Sequence, residues 1–470
     1  MQEKQSQIAQ TLLKKHWGYQ DFRPLQAEVI EHLSKGENAL VLMPTGSGKS
    51  LCYQVPSLML EGIVVVISPL IALMKDQVDD ARKKGLATQF INSSLSREQR
   101  EKAYRDLAAG KVRLLYVTPE RFRKVDFVEI MQSLQVSLMA VDEAHCISEW
   151  GHDFRPDYTR MEEIRQVLGN PPVVALTATA TRQVREDILR KLGLAADTKV
   201  FCTGFARPNL ELEVQGVVGL LDKVRAFMFY EHQFPGAKII YFSLVDSLKK
   251  FSMELERLNK EHLIYHGQLS SSARRINQKT FQKEENPLIL ATPAFGLGVN
   301  KANIRSVIHA ELPASIESYY QEVGRAGRDG KPAHCALLYD GDDISIQMDF
   351  IKWAHPDPSF IRQVYRLIED NYLQVRQGGY DFLREKMHFY HKRDFRVETV
   401  IKLFDRWGVL ENYHTPRLWE LVSEIPDHLL DEESHNRHLL VQQQKLLSMV
   451  QLCQNPENIK EKVVSYFEVP

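Results

Sequence analysis

The run Met43-Pro44-Thr45-Gly46-Ser47-Gly48-Lys49-Ser50 holds the residue types that grip phosphate. Glycines let backbone N–H groups turn inward around phosphate oxygens, and the start of a following helix adds a favourable dipole. Lys49 is placed to meet the β- and γ-phosphates of ATP, and the Ser50 hydroxyl to help hold Mg²⁺. Thr45, Gly46, Ser47 and Gly48 complete the cradle; Met43 stands where such loops usually open on glycine. Farther on, Ala140-Val141 leads into Asp142-Glu143-Ala144-His145. An apolar strand ending beside a P-loop would put Asp142 on Mg²⁺ through water and leave Glu143 to polarise the attacking water. His145 reads either as a coupling residue or as a packing one. A third stretch, Gln321 to Gly330, sets Arg325 and Arg328 three apart, on one face of a helical turn. Planar guanidinium forks match γ-phosphate oxygens, so this stretch predicts an arginine finger.

Such groups must be delivered by strand ends. From Gly36 to about residue 205, short β-branched runs (Ala39–Met43, Ile63–Ser68, Leu114–Thr118, Leu138–Val141, Val173–Thr177) alternate with helix-like segments. The alternation restarts near Lys238, with Lys238–Phe242, Leu263–Tyr265, Leu288–Thr292, Ser306–Ala310 and Cys335–Tyr339. Two α/β domains in tandem follow, each a parallel sheet covered by helices, with a ligand cleft between them. Thr203–Gly219, which contains Arg207-Pro208-Asn209, reads as an extended linker. Past Asp343 the pattern turns helical, then Gly408-Val409-Leu410-Glu411 and Leu418–Val422 suggest two short strands. That order fits either a winged helix or a plain helical accessory domain. The expected boundaries are 1–205, 206–345, 346–425 and, as a polar helical pair, 426–470.

Composition bounds the remaining possibilities. The hydrophobic share is 44 % and the charged share 26 %, as in ordinary globular chains. No apolar run approaches the roughly 20 residues of a membrane span, and Met1 to Lys15 is too polar for a secretory signal. The five cysteines, at 52, 146, 202, 335 and 453, form no CxxC pair, which suits a reduced, cytoplasmic setting. A formal charge of -1 means that any nucleic-acid groove must be locally basic.

Together these stretches resemble a superfamily 2 helicase, and further ones resemble the RecQ family. Trp17-Gly18-Tyr19 through Phe22-Arg23-Pro24 and Gln26 is similar to that family's motif 0, which implies Arg23 and Gln26 at the nucleotide, with the glutamine reading adenine. Ser68 to Gln77 and Tyr116 to Arg121 are similar to motifs Ia and Ib. Asp142–Tyr158 resembles the aromatic-rich loop, with Trp150, His152, Phe154 and Arg155 matching and Glu149 where glutamine is usual. Such a loop stacks bases and reports them to the hydrolytic carboxylates. Leu176 to Ala180, Tyr265-His266-Gly267 and Ala291 to Lys301 extend the match across roughly residues 10–345.

The resemblance implies two tandem RecA-like parallel-sheet domains followed by a mostly helical C-terminal region. It implies a monomeric ATP- and Mg²⁺-dependent motor moving 3′ to 5′ on single-stranded DNA and unwinding duplex, in repair or recombination, cytoplasmic and nucleoid-associated if bacterial. Ser68, Thr118, Ser243 and Thr292 are the implied strand contacts, with His145, Trp150, His152, Phe154 and Arg155 coupling DNA to hydrolysis. A DNA-stimulated ATPase that anneals or remodels DNA with weak unwinding is the alternative. The family's zinc module needs four cysteines, and this C-terminal part has one, Cys453, with Asn458 at the first ligand position, so no zinc is expected. His414, His428, His435 and His438 are too scattered to replace them. Lys386, His388, His391, Lys392, Arg393 and Arg396, with Phe389, Tyr390 and Phe395, read either as a duplex grip or as a solvated face.

Overall fold

Continuous apolar runs flanked by helix-like segments are what a sheet buried on both faces demands. The computed structural model describes residues 2–69, 71–151, 155–296, 299, 301–387, 394–413 and 415–468. In it β1 (Ala39–Leu42), β2 (Ile63–Ile67), β3 (Thr88–Ile91), β4 (Leu114–Val117), β5 (Val136–Val141), β6 (Val173–Thr177) and β7 (Lys199–Cys202) form one parallel sheet, ordered β3-β4-β2-β5-β6-β1-β7. β8 (Leu210–Gly216), β9 (Ala237–Tyr241), β10 (Leu263–Tyr265), β11 (Leu288–Ala291), β12 (Ile304–His309) and β13 (Ala333–Tyr339) form a second, ordered β10-β11-β9-β12-β13-β8 and also parallel. β1, β2, β4 and β6 are buried at every residue, which is why they read so clearly.

The expected linker Thr203–Gly219 is corrected in part. Leu210–Gly216 is an edge strand pairing in register with Ala333–Tyr339. Glu211, Glu213 and Gln215 alternate with Leu210, Leu212 and Val214, so only one face is apolar and the run looked like coil. β3 and β7 are also edges without an unbroken buried run: β3 buries Thr88 and Ile91, and β7 only Phe201.

The chain divides into two compact units. The first holds both sheets, residues Met1–Glu311 and Ile316–Tyr339, and also Asn455–Pro470. The second holds Leu312–Ser315 and Asp340–Gln454. The expected helical pair over 426–470 is present as Glu432–Gln454 and Ile459–Glu468, but the two helices fall in different units. Glu432–Gln454 belongs to the second unit, while Ile459–Glu468 returns to the first, where Phe467 stacks on Phe205 at 4.8 Å and its carbonyl accepts from Arg185 at 2.9 Å.

Within the second unit, helices Pro358–Asp370, Tyr372–Lys386 (broken by a kink at Gly379, φ 57° and ψ −135°) and Arg396–Arg406 enclose Val364, Ile368, Leu383, Val400 and Phe404. A two-stranded antiparallel pair, Leu410–Glu411 with Glu420–Leu421, follows. Of the basic run, residues 388–393 lie outside the described residues, as does His414. Arg396 grips Asp394 through Nε and Nη2 and lies 4.7 Å from the Phe360 ring, so its charge is already committed. Among the described residues no helix is long and apolar enough to cross a membrane. All five cysteines are free.

Candidate active site

β1 ends at Leu42 and the chain turns at once into the phosphate-type loop. Gly46 and Gly48 adopt φ of 82° and 86°, a region that side chains with a Cβ avoid. Lys49 Nζ donates to the Met43 carbonyl at 3.1 Å, which spans the loop and leaves its other protons for a ligand. Gln26 is buried, and its Nε2 donates to the carbonyls of Ser47 (3.0 Å) and Gly48 (3.1 Å) while its Oε1 accepts from Arg23 N–H. A Cβ on Gly48 would lie 2.6 Å from that Nε2, so the loop needs glycine there because the glutamine sits against it. Arg23 Nη1 donates to the Gly46 carbonyl at 2.6 Å. Both predicted nucleotide residues are thus found gripping the loop itself.

β6 lies between β5 and β1, so its end brings Thr177 between the P-loop and the acidic pair. Asp142 is buried, and burial, then the neighbouring Glu143 carboxylate, push its carboxyl up to about 7 against the pull of Lys49. Glu143 has φ 49° and ψ 48°, left-handed for a residue with a Cβ, at a cost of about 1–3 kcal/mol. That conformation turns its side chain to the cleft, where Oε2 is buried without a hydrogen bond. It lies 3.4 Å from His145 Nδ1, within ion-pair range but off hydrogen-bond geometry. His145 Nδ1 bonds to Thr177 Oγ1 at 2.9 Å, and that hydroxyl donates to the Thr179 carbonyl at 3.1 Å. His145 is therefore buried and bonded into the β6 turn.

These groups fit a magnesium nucleotide. A buried carboxylate that resists ionisation, beside a second carboxylate whose buried oxygen makes no hydrogen bond, leaves negative charge that a divalent cation would balance, and Ser50 lines the same cleft. The Asp142 shift also sets a pH dependence. Its folded value lies above the unfolded 3.8, so its contribution is full below about 4 and is lost as pH rises through about 7. The nucleotide-free protein with Asp142→Asn is expected to melt a few degrees higher than the parent at pH 8, and the gap should close toward pH 5. Melting curves at both pH values check it; an unchanged or lower melting point at pH 8 would count against the shift.

From the second sheet come the arginines. The helix Ile316–Val323 ends before them, so they sit in the i→i+3 turns beyond it and not on one helical face as expected. Arg325 is buried and donates through Nη1 to the Gly296 carbonyl. Arg328 Nη1 donates to the Val299 carbonyl at 2.7 Å. Burial and the adjacent Arg325 lower the Arg328 guanidinium to about 10, still charged at neutral pH. A Cβ on Gly46 would stand 3.0 Å from Arg328 Cδ, so this arginine of the second sheet touches the P-loop of the first. The result is one cleft of about 1140 Å³ that holds Thr45, Lys49, Ser50, Asp142, Glu143, Arg325 and Arg328.

The implied DNA contacts occupy the same edge of each sheet. Ser68 and Thr118 follow the paired strands β2 and β4; Ser243 and Thr292 follow the paired strands β9 and β11. Ser68, Thr118 and Thr292 are buried and Ser243 is half-buried, so their hydroxyls lie below the surface. Trp150 and Arg155 are half-buried, and Arg155 Nη1 donates to the Pro69 carbonyl at 3.0 Å, tying the aromatic-rich loop to the segment after β2. His152 and Phe154 lie outside the described residues.

Two residues of the arginine turn's surroundings carried no signal in the sequence. Arg207 and Asn209, read as linker, bond to the turn's backbone, contacts between residues over a hundred positions apart.

Residues 23–188 match the family described as DEAD/DEAH box helicase, and 220–330 the helicase conserved C-terminal domain. The ATP-dependent DNA helicase RecQ of Bacillus subtilis (strain 168) is 42 % identical over 346 residues, 73 % of this chain and 58 % of that protein. RecQ of Pasteurella multocida (strain Pm70) is 42 % identical over 349 residues, 74 % of this chain and 54 % of that protein. The probable ATP-dependent DNA helicase RecS of B. subtilis is 37 % identical over 401 residues, 85 % of this chain and 79 % of that protein. The chain thus spans little more than half the length of the two RecQ relatives. In fold it is similar to S. cerevisiae Dbp5 bound to RNA and ADP BeF3, with a TM-score of 0.57 at 16 % identity over 71 % of this chain and 88 % of that one.

Proposed function

The chain belongs to the RecQ family of superfamily 2 helicases, and on that premise we propose that it is an ATP-dependent DNA helicase moving 3′ to 5′ on single-stranded DNA. The observation that carries the reading is the contact of Arg328 with Gly46, which puts cations of the second sheet at the phosphate loop of the first. Magnesium, when bound with ATP, supplies charge neutralisation between the phosphates. Lys49 and the loop N–H groups orient the triphosphate, and Asp142 and Ser50 hold the cation's side of the cleft. Glu143 takes the proton of the attacking water through the carboxylate oxygen that makes no hydrogen bond. Arg325 and Arg328 close on the γ-phosphate and lose that partner after hydrolysis, so the two sheets alternate between tighter and looser approach.

Strand contact falls to the Ser68/Thr118 and Ser243/Thr292 edges, one on each sheet, so a change in their separation moves the motor along phosphates. His145 and Arg155 connect the aromatic-rich loop to the β6 turn and to Pro69, which favours DNA-dependent hydrolysis. Repair or recombination is the setting in which such unwinding is used. The test is an unwinding assay on 3′-tailed, 5′-tailed and forked duplexes with the full chain and with Lys49→Ala. Unwinding of 3′-tailed duplex that vanishes in the variant is expected. Strand separation by Lys49→Ala would sink the reading; ATPase strongly stimulated by single-stranded DNA without separation on any substrate would favour annealing or remodelling. Greater stimulation by RNA than by DNA would overturn the choice of nucleic acid.

A further inference from the structure

The arginine turn is gripped from behind by the segment that joins the two sheets. Arg207 Nη2 donates to the Ala326 carbonyl at 3.1 Å, and its Nη1 approaches the Gly324 carbonyl at 3.5 Å. Asn209 does more. Its Nδ2 donates to the carbonyls of Gly327 (2.9 Å) and Lys331 (3.0 Å), which uses both protons of the side-chain amide, while its backbone carbonyl accepts from Ala333 N–H at 3.0 Å. The turn is therefore folded around one side chain. Gly327 has φ 55°, and a Cβ there would lie 2.4 Å from Asn209 Nδ2, so the pair is fitted closely enough to exclude any other residue at 327.

The backbone carbonyls of 324, 326 and 327 face Arg207 and Asn209, while the side chains of Arg325 and Arg328 face the cleft. From this we propose that Arg207 and Asn209 are positioning residues for hydrolysis: they set where the two guanidinium groups stand relative to the γ-phosphate, and neither touches nucleotide. Asn209 also begins the edge strand Leu210–Gly216, which pairs with Ala333–Tyr339 just past the turn. The joining segment and the arginine turn thus move as one piece.

The inference rests on the ATPase reading, and its test separates the two. In Asn209→Ala, and in Asn209→Asp, which keeps the shape but loses both donors, kcat for DNA-stimulated ATP hydrolysis should fall roughly 10²-fold, since a misplacement of about 1 Å suffices. KM for ATP should change less than about twofold, because Lys49 and the P-loop are untouched. In an Arg328→Ala background the same substitution should cost little more, since a positioning residue acts through the arginine it positions. A second readout needs no activity: amide hydrogen exchange of residues 324–331 in the nucleotide-free variants should speed at least about tenfold, with the P-loop unchanged. If the parent protein hydrolyses no ATP but the turn loosens in the variants, the ATPase reading falls and the clasp stands. Unchanged kcat, losses that multiply with that of Arg328→Ala, or unchanged exchange at 324–331 would each overturn the positioning role.

Discussion

Glu143→Gln is expected to bind ATP and fail to hydrolyse it. The amide keeps the size of the carboxylate and cannot take a proton from water, so kcat should fall roughly 10²–10⁴-fold, the usual worth of a positioned general base. That range corresponds to about 3–5 kcal/mol of transition-state stabilisation. Binding should survive because Lys49, Asp142 and the loop N–H groups keep their places, and the left-handed backbone at 143 is no more costly for glutamine than for glutamate. The buried Oε2 makes no hydrogen bond, and the charge at 143 pushes up the neighbouring Asp142 carboxyl, so the substitution should not lower the melting point of the nucleotide-free protein. Single-turnover hydrolysis and equilibrium binding of a fluorescent ATP analogue measure the two halves of the claim. Hydrolysis within tenfold of the parent rate would remove Glu143 from the chemistry.

What made this site legible in the sequence was contiguity. Phosphate chemistry prescribes Gly46, Gly48, Lys49 and Ser50 in one short run after a strand, and Asp142-Glu143 at the end of another, so local residue order carries the geometry. The buried strands read as well, because a sheet covered on both faces demands unbroken apolar runs. The features that stayed hidden depend on distance in the chain. Arg207 and Asn209 look like any turn, and nothing nearby announces that their partners are the carbonyls at 324–327 and 331. The edge strands β3, β7 and β8 have no unbroken buried run, and so few buried residues do not stand out from coil. The last helix misled for a related reason. Its local pattern suits pairing with the helix before it, yet Phe467 stacks on Phe205 and its carbonyl receives Arg185, contacts set by the tertiary arrangement of the first unit. Gln26 lies between these cases: its place at the loop follows from resemblance, but its two bonds to the loop's carbonyls join residues more than twenty positions apart.

The two arginines should separate in behaviour although sequence presents them as a pair. Arg328 lies along Gly46, keeps a buried Nε without a hydrogen bond, and makes one bond at its far end to Val299. Little of the fold depends on it, and an arginine finger is worth about 10³–10⁵ in rate, so Arg328→Ala should lose at least roughly 10³-fold in kcat while melting within about a degree of the parent. Arg328→Lys should not restore the rate, since a single ammonium cannot span two γ-phosphate oxygens as the guanidinium fork does. Arg325 is different. Its Nε is likewise buried without a hydrogen bond, but it is the more deeply buried of the two, its guanidinium donates to the Gly296 carbonyl, and a Cβ on Gly296 would collide with its Nη2. Removing it leaves a cavity and an unsatisfied carbonyl beside the loop that carries Val299, the very residue that anchors Arg328. Arg325→Ala should therefore lose rate and also melt several degrees lower, and with both arginines replaced the rate should be little worse than with one. Steady-state ATPase with single-stranded DNA present, paired with melting curves, resolves the two. Equal melting points for the single variants would mean that Arg325 does not brace the turn, and a lysine at 328 with full activity would mean that charge alone, without the fork, is what the cleft requires.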